Sequence, residues 1–163
     1  MKATAKERSR RCRLQDVAQV QAGYLSRSRV RGSAKGTHRL LQARDVSADE
    51  GVSIDTAVLF HPERNAELYR VSVGDILIVA RGNDHRAVLI DTDLDDVLAS
   101  SVFHIIRPVA DLVRPGYLAW WLNQPDVQAE IKAGSRGTGI GYVSRQVMEQ
   151  LPVDLPPFEV QQR

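Results

Sequence analysis

The order of hydrophobic patterns along the chain constrains its fold more strongly than any single motif. The first part of the chain contains short apolar segments typical of strands, of which the clearest is the β-branched run within residues 73–82. After Pro115 the apolar residues recur every four positions, and Pro115, Pro125 and Gly134 mark where two helices begin and end. We therefore predict an α+β fold, a mixed, mainly antiparallel, twisted sheet with a few short helices packed on it, rather than alternating βαβ units.

The same patterns predict individual elements. A helical turn that begins at Leu14 should run into a strand that ends at Gly23. Ser144 should cap a short helix over residues 145–150, and an extended segment should follow it. The residues Gly-Asn-Asp-His, 82–85, indicate a hairpin loop between two strands. The other predicted strand regions are residues 38–46, 51–60, 73–82, 86–90 and 98–108.

Length and composition indicate an ordinary globular protein. A chain of 163 residues, 43% hydrophobic and 26% charged, is long enough for one domain with a substantial core. No apolar run reaches the roughly 20 residues needed to span a bilayer, and no secretory signal is evident. Cys12 is the single cysteine, so an internal disulfide is excluded and a cytoplasmic location is expected.

Charge is distributed unevenly along the chain. Residues 1–44 contain twelve Lys or Arg and two Asp or Glu, a balance of +10, whereas residues 45–163 contain ten and eighteen, a balance of −8. We interpret residues 1–13 as a flexible basic arm and residues 27–39, called the basic loop below, as a loop that presents cations. Such segregation favours a polyanionic partner. The candidate phosphate contacts in the basic loop are Arg27, Arg29, Arg31, Lys35 and Arg39.

A second candidate segment is the glycine loop, residues 134–146, with the sequence GSRGTGIGYVSRQ. It lacks the Gly-Lys-Ser/Thr ending of a phosphate-binding P-loop, and it follows a predicted helix rather than a strand, which argues against a dinucleotide site. The four histidines are dispersed, the acidic run at residues 91–96 lacks the pattern of a calcium loop, and no nucleophile with a base can be assigned. We therefore expect no catalytic residues, no metal and no cofactor.

Four segments together resemble the target recognition domain of type I restriction–modification specificity subunits. They are LQDVAQVQAGY, GDILIVARGN, ASSVFHIIRP with PGYLAWWLNQP, and SRGTGIGYVSRQVMEQLPVDLPPFEVQQR. The last segment is the most specific, since members of that family have a Ser-Gly-Thr-like loop, a short helix and an ending of the form LPxxLPPxxxQ. The resemblance covers about residues 14–163, which we assign to one recognition domain without the spacer helix that would begin near residue 161.

The resemblance implies a non-catalytic function. Family members recognise double-stranded DNA, each domain contacting half of a split site, and direct an adenine methyltransferase subunit and a restriction endonuclease subunit to it. Full subunits have two such domains, so methyltransferase docking and homodimer formation stay open here. Phosphate contacts give register and base-edge contacts give specificity. We expect Arg136, Thr138 and Ser144 to add phosphate contacts, and Arg81, Asn83, Tyr142, Arg145 and Gln146 to contact bases.

Two other functions stay open at the level of the sequence. The chain is alternatively a protein-interaction module that tethers methyltransferase or nuclease subunits and has little affinity for DNA by itself. A small stand-alone nuclease is the third interpretation, and it is disfavoured because no acid-plus-lysine pattern accompanies Asp75.

Overall fold

The computed structural model describes residues 9–135 and 141–161. Within them there are four short α-helices and eleven strands, and the strands form four small sheets. The strands are β1 (Arg10–Arg13), β2 (Ala18–Ala22), β3 (His38–Leu41), β4 (Val46–Ser47), β5 (Gly51–Val52), β6 (Val58–Phe60), β7 (Ile76–Val79), β8 (Ala87–Leu89), β9 (Val97–Ala99), β10 (Phe103–Pro108) and β11 (Pro152–Leu155). The helices are α1 (Leu14–Val17), α2 (Pro115–Leu122), α3 (Pro125–Ala133) and α4 (Arg145–Gln150). The predicted α+β class is confirmed.

The largest sheet has the strand order β2-β10-β7-β8, with every neighbouring pair antiparallel. The hairpin predicted between residues 73–82 and 86–90 is present as β7 and β8. A second sheet, β6-β3-β9, is mixed, because β3 runs parallel to β9. The other two sheets are the strand pairs β1 with β11 and β4 with β5.

Burial on both faces explains the continuous apolar run in β7. Alternate residues of a strand point to opposite faces, and here Ile76 and Ile78 pack in the cluster formed with the helices. Leu77 and Val79 pack on the other side, against residues of the second sheet such as Leu41 and Ala99. Because both faces are covered, the strand has no solvent-exposed face that would favour polar residues at alternate positions. This explains its continuous apolar sequence, Ile-Leu-Ile-Val.

Two predicted boundaries are wrong. Residues 98–108 form two strands in different sheets, β9 and β10, joined by a turn in which Phe103 N–H donates to the Ser100 carbonyl at 3.1 Å. Both strands are buried, so hydrophobicity alone does not reveal the break. The predicted flexible arm also extended too far, because residues 10–13 are β1, paired along their length with β11. Residues 1–8 lie outside the described part of the chain.

The helix starts follow their predicted signals. Pro115 and Pro125 occupy the first positions of α2 and α3, where a missing N–H costs nothing. The Ser144 hydroxyl accepts a hydrogen bond from the Val147 N–H at 3.1 Å and so caps α4. The last two residues of the glycine loop form the first turn of this short helix, and the cap therefore helps to set where the helix begins.

Removing this cap should destabilise the protein. We expect Ser144→Ala to lower the free energy of unfolding by about 1 kcal/mol, because the Val147 N–H loses its partner. Urea unfolding monitored by circular dichroism measures the change. Ser9→Ala is the matched control, since Ser9 is exposed and lies in neither a helix nor a strand. Equal stabilities of the two variants would contradict the capping role.

Candidate nucleic-acid interface

The end of β7 and the end of the glycine loop are joined by backbone hydrogen bonds. Val143 N–H donates to the Ala80 carbonyl at 2.8 Å, and Gly82 N–H donates to the Gly141 carbonyl at 2.9 Å. These bonds place Arg81 opposite Tyr142, with the guanidinium 5.3 Å from the centre of the tyrosine ring. Two predicted base-contacting side chains from distant parts of the sequence are therefore neighbours, and both are exposed.

Stacking against Tyr142 gives Arg81 a defined direction. A guanidinium over an aromatic face is held by a cation–π attraction, and its outer N–H groups stay available for a bidentate contact. Tyr142 is 37% exposed, so the pair forms part of the surface. Asn83 is also exposed and follows Gly82, whose φ of +94° is a conformation that suits glycine. The predicted hairpin candidates thus lie at one surface with the Arg81–Tyr142 pair.

A buried histidine supports this arrangement from below. His104 in β10 is 1% exposed, and its Nε2 lies 2.7 Å from the Val143 carbonyl oxygen, so the neutral ring donates there. Its ring centre is 6.0 Å from that of Tyr142. The other ring nitrogen, Nδ1, is buried without a hydrogen-bond partner. Burial lowers the pKa of His104 below its ordinary value, and nearby Arg145 acts in the same direction.

Stability should depend on pH through His104. In the folded protein this histidine binds fewer protons than in the unfolded chain, so its contribution is complete above about pH 6.5 and declines below it. His104→Gln does not titrate and retains an amide donor for the Val143 carbonyl. We expect this variant to lose less unfolding free energy than the parent between about pH 7.5 and about pH 5.

Urea titrations at the two pH values test this expectation. His61→Gln is the control, because His61 is exposed, and it should retain the parent's pH dependence. Parallel curves for the parent and His104→Gln would contradict the prediction.

The basic loop leaves the central sheet at the same end as the Arg81–Tyr142 pair. The last residue of β2, Ala22, pairs with His104, and the last residue of β7, Val79, pairs with Phe103. The segment that leads from β2 into the basic loop and the end of β7 therefore lie on the two sides of one strand end. Four cations of this loop are exposed: Arg27, Arg29, Arg31 and Lys35.

The basic loop is tied down although it contains neither helix nor strand before residue 38. Ser33 N–H donates to the Leu59 carbonyl at 2.8 Å, and Thr37 N–H donates to the Phe60 carbonyl at 3.0 Å. Gly36 is required at its position, since an added Cβ would overlap the backbone of Phe60. The second half of the loop is therefore held against β6.

Glu63 places a negative charge at the start of this loop. Its carboxylate accepts hydrogen bonds from the Ser28 and Ser26 hydroxyls and from the Arg27 N–H at 3.1 Å. These bonds, that from Ser28 first, lower the pKa of Glu63, so the carboxylate is charged at neutral pH. We therefore expect Arg27 to attract an anion less strongly than Arg29 or Arg31.

The other predicted DNA contacts lie in a strand, in a helix or outside the described residues. Arg39 lies in β3, and its guanidinium donates to the carbonyls of Ile54 and Ala57 at 3.4 Å each. Arg145 pairs with Glu149 at 2.7 Å, whereas Gln146 is exposed on the first turn of α4. Arg136 and Thr138 lie outside the described residues.

The structure adds Arg44, which was not among the sequence candidates. Its side chain is 61% exposed and lies 3.7 Å from the buried carboxylate of Asp45. It borders a groove whose other side includes Arg29. Arg44 is an isolated basic residue after a strand, so no local pattern pointed to it.

The described residues give little support to a catalytic centre. Asp75 and Arg81 lie at opposite ends of β7, which removes the pairing on which a nuclease interpretation would depend. The Asp75 carboxylate instead accepts from the Ser72 N–H at 2.8 Å, and burial raises its pKa. Burial likewise raises the pKa of Cys12, against the lowering that nearby cations would cause. Across residues 9–135 and 141–161, no cluster of three or more His, Cys, Asp or Glu is arranged to hold a metal ion.

The helices are short. None within the described ranges is long and apolar enough to cross a membrane. Of the adjacent tryptophans on α2, Trp121 is buried in the core and Trp120 is partly exposed.

Solved structures share this fold. The chain superposes on the HsdS subunit from Thermoanaerobacter tengcongensis with a TM-score of 0.66 at 21% identity, covering 94% of this chain and 39% of that one. For the type I restriction–modification S subunit from M. genitalium the TM-score is 0.55 at 11% identity, with 90% and 34% covered. A chain from a type I restriction–modification system studied for its assembly and conformational transition gives 0.68 at 20%, with 94% and 40% covered.

These likenesses identify the fold as one found in type I restriction–modification S subunits. The chain spans about two fifths or less of the length of each of these structures, between 34% and 40%. No family model and no curated protein matches the sequence.

Proposed function

We propose that this chain is a target recognition domain that binds double-stranded DNA in a sequence-dependent manner, without catalysing a reaction. The observation that carries the proposal is the position of the Arg81–Tyr142 pair at the same end of the central sheet as the basic loop. An S-subunit fold with cations and an oriented guanidinium at one end suits a duplex better than a small ligand.

The two groups of side chains have different tasks in this proposal. Arg29, Arg31 and Lys35 contact phosphates, which gives affinity and register for any sequence. Arg81 reaches base edges, where a guanidinium can donate two hydrogen bonds to guanine O6 and N7, and Asn83 is suited to adenine. Tyr142 orients Arg81 in this proposal.

The proposal includes partners. As part of a type I specificity subunit or half-subunit, the domain would direct a DNA adenine methyltransferase subunit and a restriction endonuclease subunit to a DNA half-site in the cytoplasm. The likeness of the chain to solved S-subunit structures supports this assignment. Sedimentation with and without DNA would show whether two copies of the chain form a dimer.

Selection from randomised duplexes tests the proposal. The purified chain, alone and with the methyltransferase subunit, is incubated with a randomised duplex pool, and the retained DNA is sequenced. We expect one short motif to be enriched in both conditions. Binding to the methyltransferase subunit without any salt-sensitive DNA binding would instead support the tethering module, and metal-dependent cleavage by the chain alone would support a nuclease.

A further inference from the structure

A surface groove of about 630 Å³ lies beside the candidate interface. One side is the segment after β2, including Leu25, Arg29 and Val30, and the other side includes Arg44 and the β9–β10 turn with Val102. No acidic side chain lines the groove within the described residues, and Asp45, the carboxylate nearest to Arg44, is 1% exposed. The groove therefore combines two cations at its rim with an uncharged interior.

Apolar side chains predominate in the lining of the groove, beside the polar residues Ser26, Gln42, Ser100 and Ser101. Leu25 is 60% exposed, and Val30 and Val102 are half-buried beside it. An apolar group gains more from such a surface than a phosphate does, because a phosphate would lose water in exchange for few hydrogen bonds. The occupant that fits is one with an apolar group between two anionic ones, and in duplex DNA the apolar group of the major groove is the thymine 5-methyl.

A backbone ladder links this groove to Val143, which adjoins Tyr142, the residue on which the Arg81 guanidinium stacks. Val143 N–H donates to the Ala80 carbonyl at 2.8 Å, and Ala80 N–H donates to the Val102 carbonyl at 2.7 Å. Two such spacings, at about 4.8 Å each, separate Val102 from Val143 by roughly 10 Å. Along one DNA strand, that distance corresponds to about three steps of 3.4 Å.

We propose that this groove receives the 5-methyl group of a thymine about three base pairs from the base contacted by Arg81. Leu25, Val30 and Val102 contact the methyl group, and Arg29 and Arg44 contact flanking phosphates. The inference rests on the proposed DNA-binding function and adds a second specificity contact to it.

The test uses the duplex motif obtained by selection with the full chain. Each thymine is replaced in turn by deoxyuridine, which removes only the methyl group, and affinity is measured by fluorescence anisotropy. We expect roughly a fourfold loss at one thymine, the change that corresponds to one buried carbon, about three positions from the base whose preference Arg81→Ala relaxes. Leu25→Ser should abolish the difference between thymine and deoxyuridine.

Two further variants separate the contributions. Arg44→Gln should weaken binding to both duplexes equally and leave the thymine preference in place. Leu68→Ser is the matched control, because Leu68 is 55% exposed and its carbonyl contacts Arg107 near the other end of the central sheet. This control should behave as the parent.

The outcomes distinguish this inference from the proposed function. If the motif contains no thymine near that position, or if no deoxyuridine substitution matters while Arg81→Ala still relaxes the motif, the groove assignment is overturned and the DNA-binding function stands. A thymine effect that persists in Leu25→Ser also overturns the assignment. Failure to enrich any motif overturns both.

Discussion

Raising monovalent salt from about 50 to about 200 mM is expected to weaken duplex binding by roughly 10³-fold. Each phosphate neutralised by a cation releases condensed counterions, and six contacts give a slope of roughly −5 for the logarithm of affinity against the logarithm of salt concentration. The proposal has six cationic candidates for phosphate contacts. They are Arg27, Arg29, Arg31 and Lys35 of the basic loop, Arg44 beside the groove, and Arg136 of the glycine loop.

Anisotropy titrations at four or five salt concentrations measure this slope. Arg31→Gln should make it less steep by about one unit, as the loss of one phosphate contact requires. Arg27→Gln should change it less, since the Glu63 carboxylate already lies beside Arg27. A slope near zero for the parent would exclude the electrostatic mechanism.

The second large effect is expected for Arg81→Ala. Loss of a bidentate base contact costs about 1–3 kcal/mol of discrimination, so affinity for the selected motif should fall roughly 5- to 150-fold. Affinity for unrelated duplexes should change little, because this side chain supplies little of the phosphate contact in the proposal. Arg81→Lys should not restore the preference, since an ammonium cannot form the two parallel hydrogen bonds of a guanidinium.

Arg29→Ala is the matched comparison for Arg81→Ala. It should weaken all duplexes alike and leave the selected motif unchanged. Tyr142→Phe retains the ring over which Arg81 stacks and should retain the preference, whereas Tyr142→Ala removes the ring and should lower it. Uniform losses for both arginine variants would contradict the division between base contacts and phosphate contacts.

Sequence patterns predicted helix starts and the hairpin well, because the residues that determine these elements lie close together in the chain. Pro115, Pro125 and the Ser144 cap marked helix starts because capping depends on residues within one turn. The hairpin around Asn83 was recognised because its strands adjoin in sequence. The break between β9 and β10 was missed because both strands are largely buried, so hydrophobicity alone does not mark the boundary between them.

For the candidate site too, some features were evident from the local sequence and others depended on the fold. The clustering of cations at residues 27–35 was evident from composition, and those cations are exposed. The engagement of Arg39 with backbone carbonyls was not evident, because Ile54 and Ala57 approach it only through the pairing of β3 with β6. Arg44 was missed for a related reason, since its proximity to Arg29 depends on the fold of the groove.

By itself, the sequence determined the α+β class, the helix starts, the central hairpin and the concentration of positive charge near the N-terminus. Each depends on residues close together in the chain, through periodicity, capping or local composition. Only the tertiary structure decided that Arg81 stacks on Tyr142, that His104 supports the glycine loop, and that the basic loop begins at the same end of the sheet. These placements depend on backbone hydrogen bonds between distant segments, which no local pattern encodes.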